Sequence, residues 1–114
     1  MEENQILNTP LQKKGGMSEE NKIFLDLLMR LIAEGKIQLY SPSSLLNQDV
    51  YQKLDEQKQG NADFEAVNLL SAVREIKDLH DAGFTETFQM ENSVDRLRET
   101  KERIEGVGGD LFII

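Results

Sequence analysis

The chain contains one histidine, His80, and that residue is the first place to look for acid–base or metal chemistry. Asp78 and Asp81 are near it in sequence, but neither is three or four positions away, so a helix would not present them on its face. Glu75 and Asp78 share a face that Asp81 continues, beside Arg74 and Lys77, as an ordinary solvated surface does. No histidines and carboxylates fall at zinc-ligand spacing, and with no cysteine there is neither a thiolate site nor a disulfide. His80, close to a helix end, is better placed to interact with the negative end of the helix dipole. Ser41, Ser43 and Ser44 have only that one histidine to act as base, so they read as turn and capping residues. The glycines do not form a phosphate loop, because no G-x-x-x-x-G-K-[ST] is present. The expectation is therefore a non-enzyme, with no cofactor, no metal and no small-molecule substrate.

The C-terminus is the most unusual segment. Leu111, Phe112, Ile113 and Ile114 follow Gly106-Val107-Gly108-Gly109-Asp110, placing four apolar residues after a glycine-rich stretch. Such a segment can add to a sheet edge of a partner, with alternate side chains filling pockets, and these four residues are the expected partner-binding set. The other reading folds them back onto the chain's own core, because an exposed apolar tail is sticky unless covered. Gly108-Gly109-Asp110-Leu111-Phe112 resembles, letter by letter, the Gly-Gly-Asp-Glu-Phe signature of diguanylate cyclases. Leu111 replaces the glutamate and the chain stops at the motif, whereas such a domain needs much more chain around its hairpin. The match is coincidence.

Charge narrows the partners. Among 114 residues, 21 acids outnumber 13 bases, for a formal charge of -8. Nucleic acid and anionic membranes would be repelled unless the bases were segregated. They are not: Arg96, Arg98, Lys101 and Arg103 are interleaved with Asp95, Glu99, Glu102 and Glu105. The longest apolar stretch, residues 23–33, is broken by Asp26 and Arg30 and is too short to span a bilayer. No signal peptide is evident at the start, and a soluble, cytoplasmic protein is expected.

The elements that would position these groups are mostly helical. Residues 1–16 are polar, contain Pro10 and end in Lys13-Lys14-Gly15-Gly16, so a tail without regular structure is expected, with Ile6, Leu7 and Leu11 its only internal apolar groups. Ser18 is a good N-cap, and Ile23, Phe24, Leu27, Leu28, Leu31 and Ile32, widened by Leu25 and Met29, recur at helical spacing up to Gly35, which predicts a helix over 18–34. Alternation over 36–40 suggests a short extended piece. A second helix is expected from Pro42, with Leu46, Val50 and Leu54 on one face, ending at Gly60. Asn61 then caps a third, whose broad apolar face is read as Phe64, Val67, Leu70, Val73, Ile76 and Leu79, supported by Ala66, Leu69 and Ala72, with Gly83 beyond its end. Residues 84–90, with Thr85 and Thr87, read as a strand or an extended linker. A fourth helix is expected over 94–105, capped by Asn92 or Ser93.

The predicted architecture is all-α: a small antiparallel bundle of three or four helices spanning residues 17–105, with short extended segments and a glycine-rich, apolar end over 106–114. The leading functional expectation is a protein–protein interaction module, an adaptor or a subunit of an assembly, whose partner is another protein or a second copy of the chain. The second reading is a small acidic inhibitor, antitoxin- or immunity-like, that masks a basic site on a partner through residues such as Glu19, Glu20, Asp55 and Glu56.

Overall fold

The structure is a computed structural model that describes residues 17–106 and 109–114; the expectation for residues 1–16 lies outside the described residues. Among the described residues it contains four α-helices, a 3-10 turn at Pro42–Leu45 and no strand, so the fold is the expected small all-α bundle. The helices are α1 (Glu19–Ala33), α2 (Gln48–Tyr51), α3 (Glu56–Asp81) and α4 (Phe88–Glu105). No helix among these residues is long and apolar enough to cross a membrane.

The ends of the first helix follow their sequence signals, but its buried side is Asn21, Leu25, Leu28 and Leu31, and Ile23, expected on the apolar face, is 63% exposed. The Ser18 side chain accepts a hydrogen bond from Asn21 N, Glu19 and Glu20 fill the first turn, and Gly35 closes the helix at φ 78°. Only glycine adopts that left-handed conformation without strain. The chain then reverses, with the Lys36 and Ile37 amides both donating to Leu31 O. No strand forms over 36–40. Ile37 turns inward instead and is 2% exposed.

The second and third helices divide differently from the sequence reading. α2 is a single turn, and Asp55 rather than Asn61 begins α3 by accepting from Lys58 N at 2.8 Å. Gly60 does not end a helix; it lies inside α3 with open space where a Cβ would be. A favourable cap and the burial of Ala62, Ala66 and Leu69 downstream override glycine's weak helical preference. Gly60→Ala should therefore stabilise the fold by about 0.5–1 kcal/mol, through a less mobile unfolded chain, and raise the midpoint of thermal unfolding. A lower midpoint would mean that the helix does not run through this position.

Residues 84–90 form no named strand: 84–87 connect α3 to α4, and 88–90 are already helical. Thr87, fully buried, caps α4 by accepting from Met90 N at 3.1 Å, so the helix starts at Phe88 and not near Val94. Threonine's preference for extended backbone is satisfied at the cap position itself, where φ is -98° and ψ 161°.

α3 and α4 run antiparallel: Ala62 faces Ile104 across one cleft, and Leu69 and Ala72 lie beside Leu97. The small residues Ala62 and Ala66 are 3% and 0% exposed, which suits close approach of the neighbouring helix. α1 crosses α4 and is tied to it by Asn21, whose side chain is completely buried. Asn21 Nδ2 donates to Glu91 Oε2 at 2.6 Å and to Asp95 Oδ1 at 2.8 Å, while Asn21 Oδ1 accepts from Arg98 Nη1 at 2.8 Å. The segment between α1 and α3 runs back along α3, held by Arg74 donating to Leu39 O and by the Tyr51 hydroxyl donating to Asp63 Oδ2 at 3.0 Å. That last bond holds the Tyr51 phenol above its ordinary pKa, because ionisation would forfeit the bond and set two negative charges together.

Candidate interaction surface

The C-terminal segment is folded onto the chain. Phe112 forms an isolated antiparallel bridge with Leu46, Asn47 N donates to Leu111 O at 2.8 Å, and Ile113 N donates to Leu45 O at 2.8 Å. Side chains along extended backbone alternate in direction. Phe112 and Ile114 accordingly point inward, at 3% and 8% exposure, while Leu111 and Ile113 stay half-buried. Of the four residues expected to meet a partner, two belong to the core and two reach the surface. The bridge joins the tail to Leu46, just past the 3-10 turn, and not to the extended pieces expected over 36–40 and 84–90.

Two features of α4 hold the tail down. The Glu105 side chain, 2% exposed, accepts from Phe112 N at 3.1 Å and pairs through its other oxygen with Lys101. Gly109 passes so close to the helix end that a Cβ there would sit 2.3 Å from Glu105 O. The absence of a side chain at Gly109 is what permits the turn.

This docking puts Leu111 at the edge of an open cleft of about 440 Å³ where α3 begins and α4 ends. Leu54, Ala62, Ile104 and Leu111 give it an apolar lining, Phe64 forms one lip, and Lys58, Glu65 and Arg103 line it as well. Neither Lys58 nor Arg103 has an ion-pair partner among the described residues, although the chain as a whole is strongly acidic. Phe64 is 66% exposed and Val67, one turn on, is 51% exposed.

Both residues were expected in the core, and the structure corrects that. The stripe that α3 buries is Ala62, Ala66, Leu69, Leu70, Val73 and Ile76. At 100° per residue Phe64 falls nearly opposite Ala66. Leu70, Val73 and Ile76 are buried as expected, as are Ala66 and Leu69; the expected face was drawn too wide at its start, where it took in Phe64 and Val67.

The other groups with chemical potential occupy structural positions. His80 is 40% exposed, with Nδ1 3.8 Å from Asp81 Oδ1, at the last turn of α3 where its dipole role was expected. Lys77 hydrogen-bonds the Asp81 carboxyl and, with His80, holds it below the usual carboxylate range. Among the described residues no group of three or more His, Cys, Asp or Glu is arranged to hold a metal ion. Ser44 Oγ donates to Ser41 O at 2.7 Å and accepts from Gln38 N, the turn role read from sequence. Tyr40 is 86% exposed with Arg74 over its ring at 5.2 Å.

No family model, no curated protein and no solved structure matches the chain.

Proposed function

We propose that this chain is a non-catalytic protein–protein interaction module, an adaptor or a subunit of an assembly, and that it docks its partner at the cleft between the start of α3 and the end of α4. The observation that carries this reading is Phe64, a phenylalanine two-thirds exposed at the lip of an apolar cleft. Full burial of such a side chain is worth roughly 1.5–3 kcal/mol, a gain that folding leaves largely uncollected and that a partner would recover. Aromatic anchors of this kind concentrate binding energy in protein interfaces. Lys58 and Arg103 outnumber the one acid of the cleft, Glu65, so the surface leans positive on an acidic chain, which supports selective rather than general stickiness. The cysteine-free composition suits a cytoplasmic setting.

Affinity capture from native lysate tests this, using the full chain, Phe64→Asp, and a chain shortened after Gly109. Phe64→Asp sits on an exposed helical position and should leave folding intact. It is expected to weaken capture of the partner by at least about tenfold, the consequence of losing an anchor worth more than 1.4 kcal/mol. Shortening removes Leu111 from the cleft edge and should weaken capture in the same direction. If the Phe64→Asp chain retains the same proteins as the unaltered one, the cleft is not the docking surface. Sedimentation velocity over a range of concentrations separates a second copy from a foreign partner.

A further inference from the structure

We infer that the chain self-associates as a two-fold dimer, α3 of each copy lying over α4 of the other along a groove that includes the cleft. The inference rests on the cleft being the docking surface, and it names a second copy as the occupant.

The α3–α4 pair is covered on one side and open on the other. On the covered side Arg98 meets Asn21 of α1, and Arg74 donates to Leu39 O. Two positions from each of these, Ala72 on α3 and Arg96 on α4 are turned away by about 160°, at 100° per residue. Both line a second cleft of about 270 Å³, together with Asn68, Glu75 and Thr100. By the same geometry Lys58, Glu65 and Ala72 fall close to one line of α3, and Arg96, Thr100 and Arg103 close to one line of α4. The two clefts are therefore stretches of a single groove. Its apolar floor is Ala62, Leu69, Leu97 and Ile104, and the small side chains of Ala62 and Ala72 let another helix come close.

The charges along this groove are self-complementary. Glu65 and Arg103 share the first cleft, and Glu75 and Arg96 share the second, so α3 offers acids and α4 bases at the same two levels. Lys58, one turn before Ala62, lies at the open end. Glu99 sits on the outer side of α4 between the two arginines, lines neither cleft, and offsets only one of them. None of Glu65, Glu75, Arg96 and Arg103 makes an ion pair among the described residues. A two-fold axis parallel to the helices sets α3 over α4 of the second copy and keeps each level. Glu65 then meets Arg103 of the second copy and Glu75 meets Arg96 of the second copy, each twice by symmetry. An axis across the helices would lay α3 on α3 and set acid against acid. Phe64, at the lip, comes against α4 of the second copy.

Size sets the strength. From Lys58 to Glu75 the groove runs about 25 Å, and two helices are roughly 20 Å across, for a footprint on the order of 500 Å² per copy. Two such footprints reach the roughly 1,000 Å² at the lower edge of specific interfaces, so a reversible, micromolar dimer is expected. The chain's formal charge of -8 opposes contact elsewhere on its surface, whereas here three bases face two acids.

Analytical ultracentrifugation of the full chain, from low micromolar to near-millimolar concentration, tests this with two charge reversals. One carries Arg96→Glu with Arg103→Glu, the other Glu65→Arg with Glu75→Arg, and circular dichroism checks that both stay helical. The unaltered chain is expected to dimerise, and each reversal to weaken dimerisation by at least about tenfold, because like charges then face each other in both halves of the interface. Mixing the two reversals restores a dimer containing one copy of each, since every pair is again of opposite sign. Both variants remain acidic, so net charge does not draw them together. A chain that stays monomeric throughout, reversals that dimerise as the unaltered chain does, or a mixture that stays monomeric each overturns the inference. A monomer whose capture of another protein still depends on Phe64 overturns the dimer alone and leaves the cleft as a docking surface. Capture unaffected by Phe64→Asp, with no dimer, removes both.

Discussion

Asn21→Ala is expected to lower the stability of the fold by about 3 kcal/mol, among the largest effects of any polar substitution in this chain. The side chain is fully buried and uses both its amide hydrogens and its oxygen on charged partners. Hydrogen bonds to ionised groups contribute roughly 1.5–3 kcal/mol each, and removing the amide strips Glu91 and Asp95 of a shared donor and Arg98 of an acceptor. Glu91, only 9% exposed, is too enclosed to recover water freely, while Asp95 and Arg98 are half-buried. For a domain of this size the midpoint of thermal unfolding should fall by roughly 10 °C or more. A loss below about 1 kcal/mol would show that the cluster rearranges around the gap.

Asn21→Asp separates charge from shape. It keeps the size of the side chain and the contact with Arg98, removes the donors, and adds a third carboxylate beside Glu91 and Asp95. Crowding with like charge raises the folded-state pKa of such a group above its unfolded value. The stability of that variant relative to the unaltered chain is therefore best below the unfolded pKa and is lost as pH rises through the folded one. Denaturant unfolding of both chains between acidic and neutral pH should show the gap widening upward. A gap independent of pH would mean that shape and not charge governs the site.

The contrast between Asn21 and its neighbours shows what sequence reasoning reaches here. Leu28 and Leu31 are legible because their spacing alone places them on one stripe, which Leu25 widens, and Ser18 and Gly35 because each carries a local signal for its helix end. Asn21 occupies the same buried stripe, yet its role depends on three residues of α4 that lie 70, 74 and 77 positions away, which no local pattern contains. The start of α4 was hidden for a different reason: Thr87 has a strand-forming side chain, and only the chain reversal at Gly83 turns it into a cap. Gly60 and Asp55 competed as boundary signals, and the cap outweighed the breaker. The candidate surface was half visible. Leu111 stands out in the apolar tail, whereas Phe64 reads as core because a face that includes Leu70, Val73 and Ala66 is broad enough in sequence to take it in.

Glu105→Ala should cost about 3 kcal/mol and, unlike the Asn21 change, should act first on the tail. Glu105 is the point where α4 and the C-terminal segment are joined: one carboxylate oxygen serves Lys101 and the other serves Phe112 N, inside a site where the side chain is 2% exposed. Removing it leaves an ammonium that is 17% exposed without its partner, and breaking a buried pair from one side is the costly direction. The Phe112 amide loses its acceptor as well. Because the tail makes only one bridge with Leu46, the remaining hydrogen bonds through Leu111 and Ile113 cannot act as a cooperative sheet. Hydrogen exchange should consequently accelerate at Asn47, Phe112 and Ile113 well before the amides of α1 respond. Glu105→Gln provides the internal control, since it retains an acceptor for Phe112 N and loses only the charge facing Lys101. It should fall between alanine and the unaltered chain in stability while keeping most of the protection at Phe112. If glutamine and alanine release the tail equally, the ion pair with Lys101 holds it. If neither does, burial of Phe112 and Ile114 alone keeps the tail in place, and Leu111 stays at the edge of the cleft without help from α4.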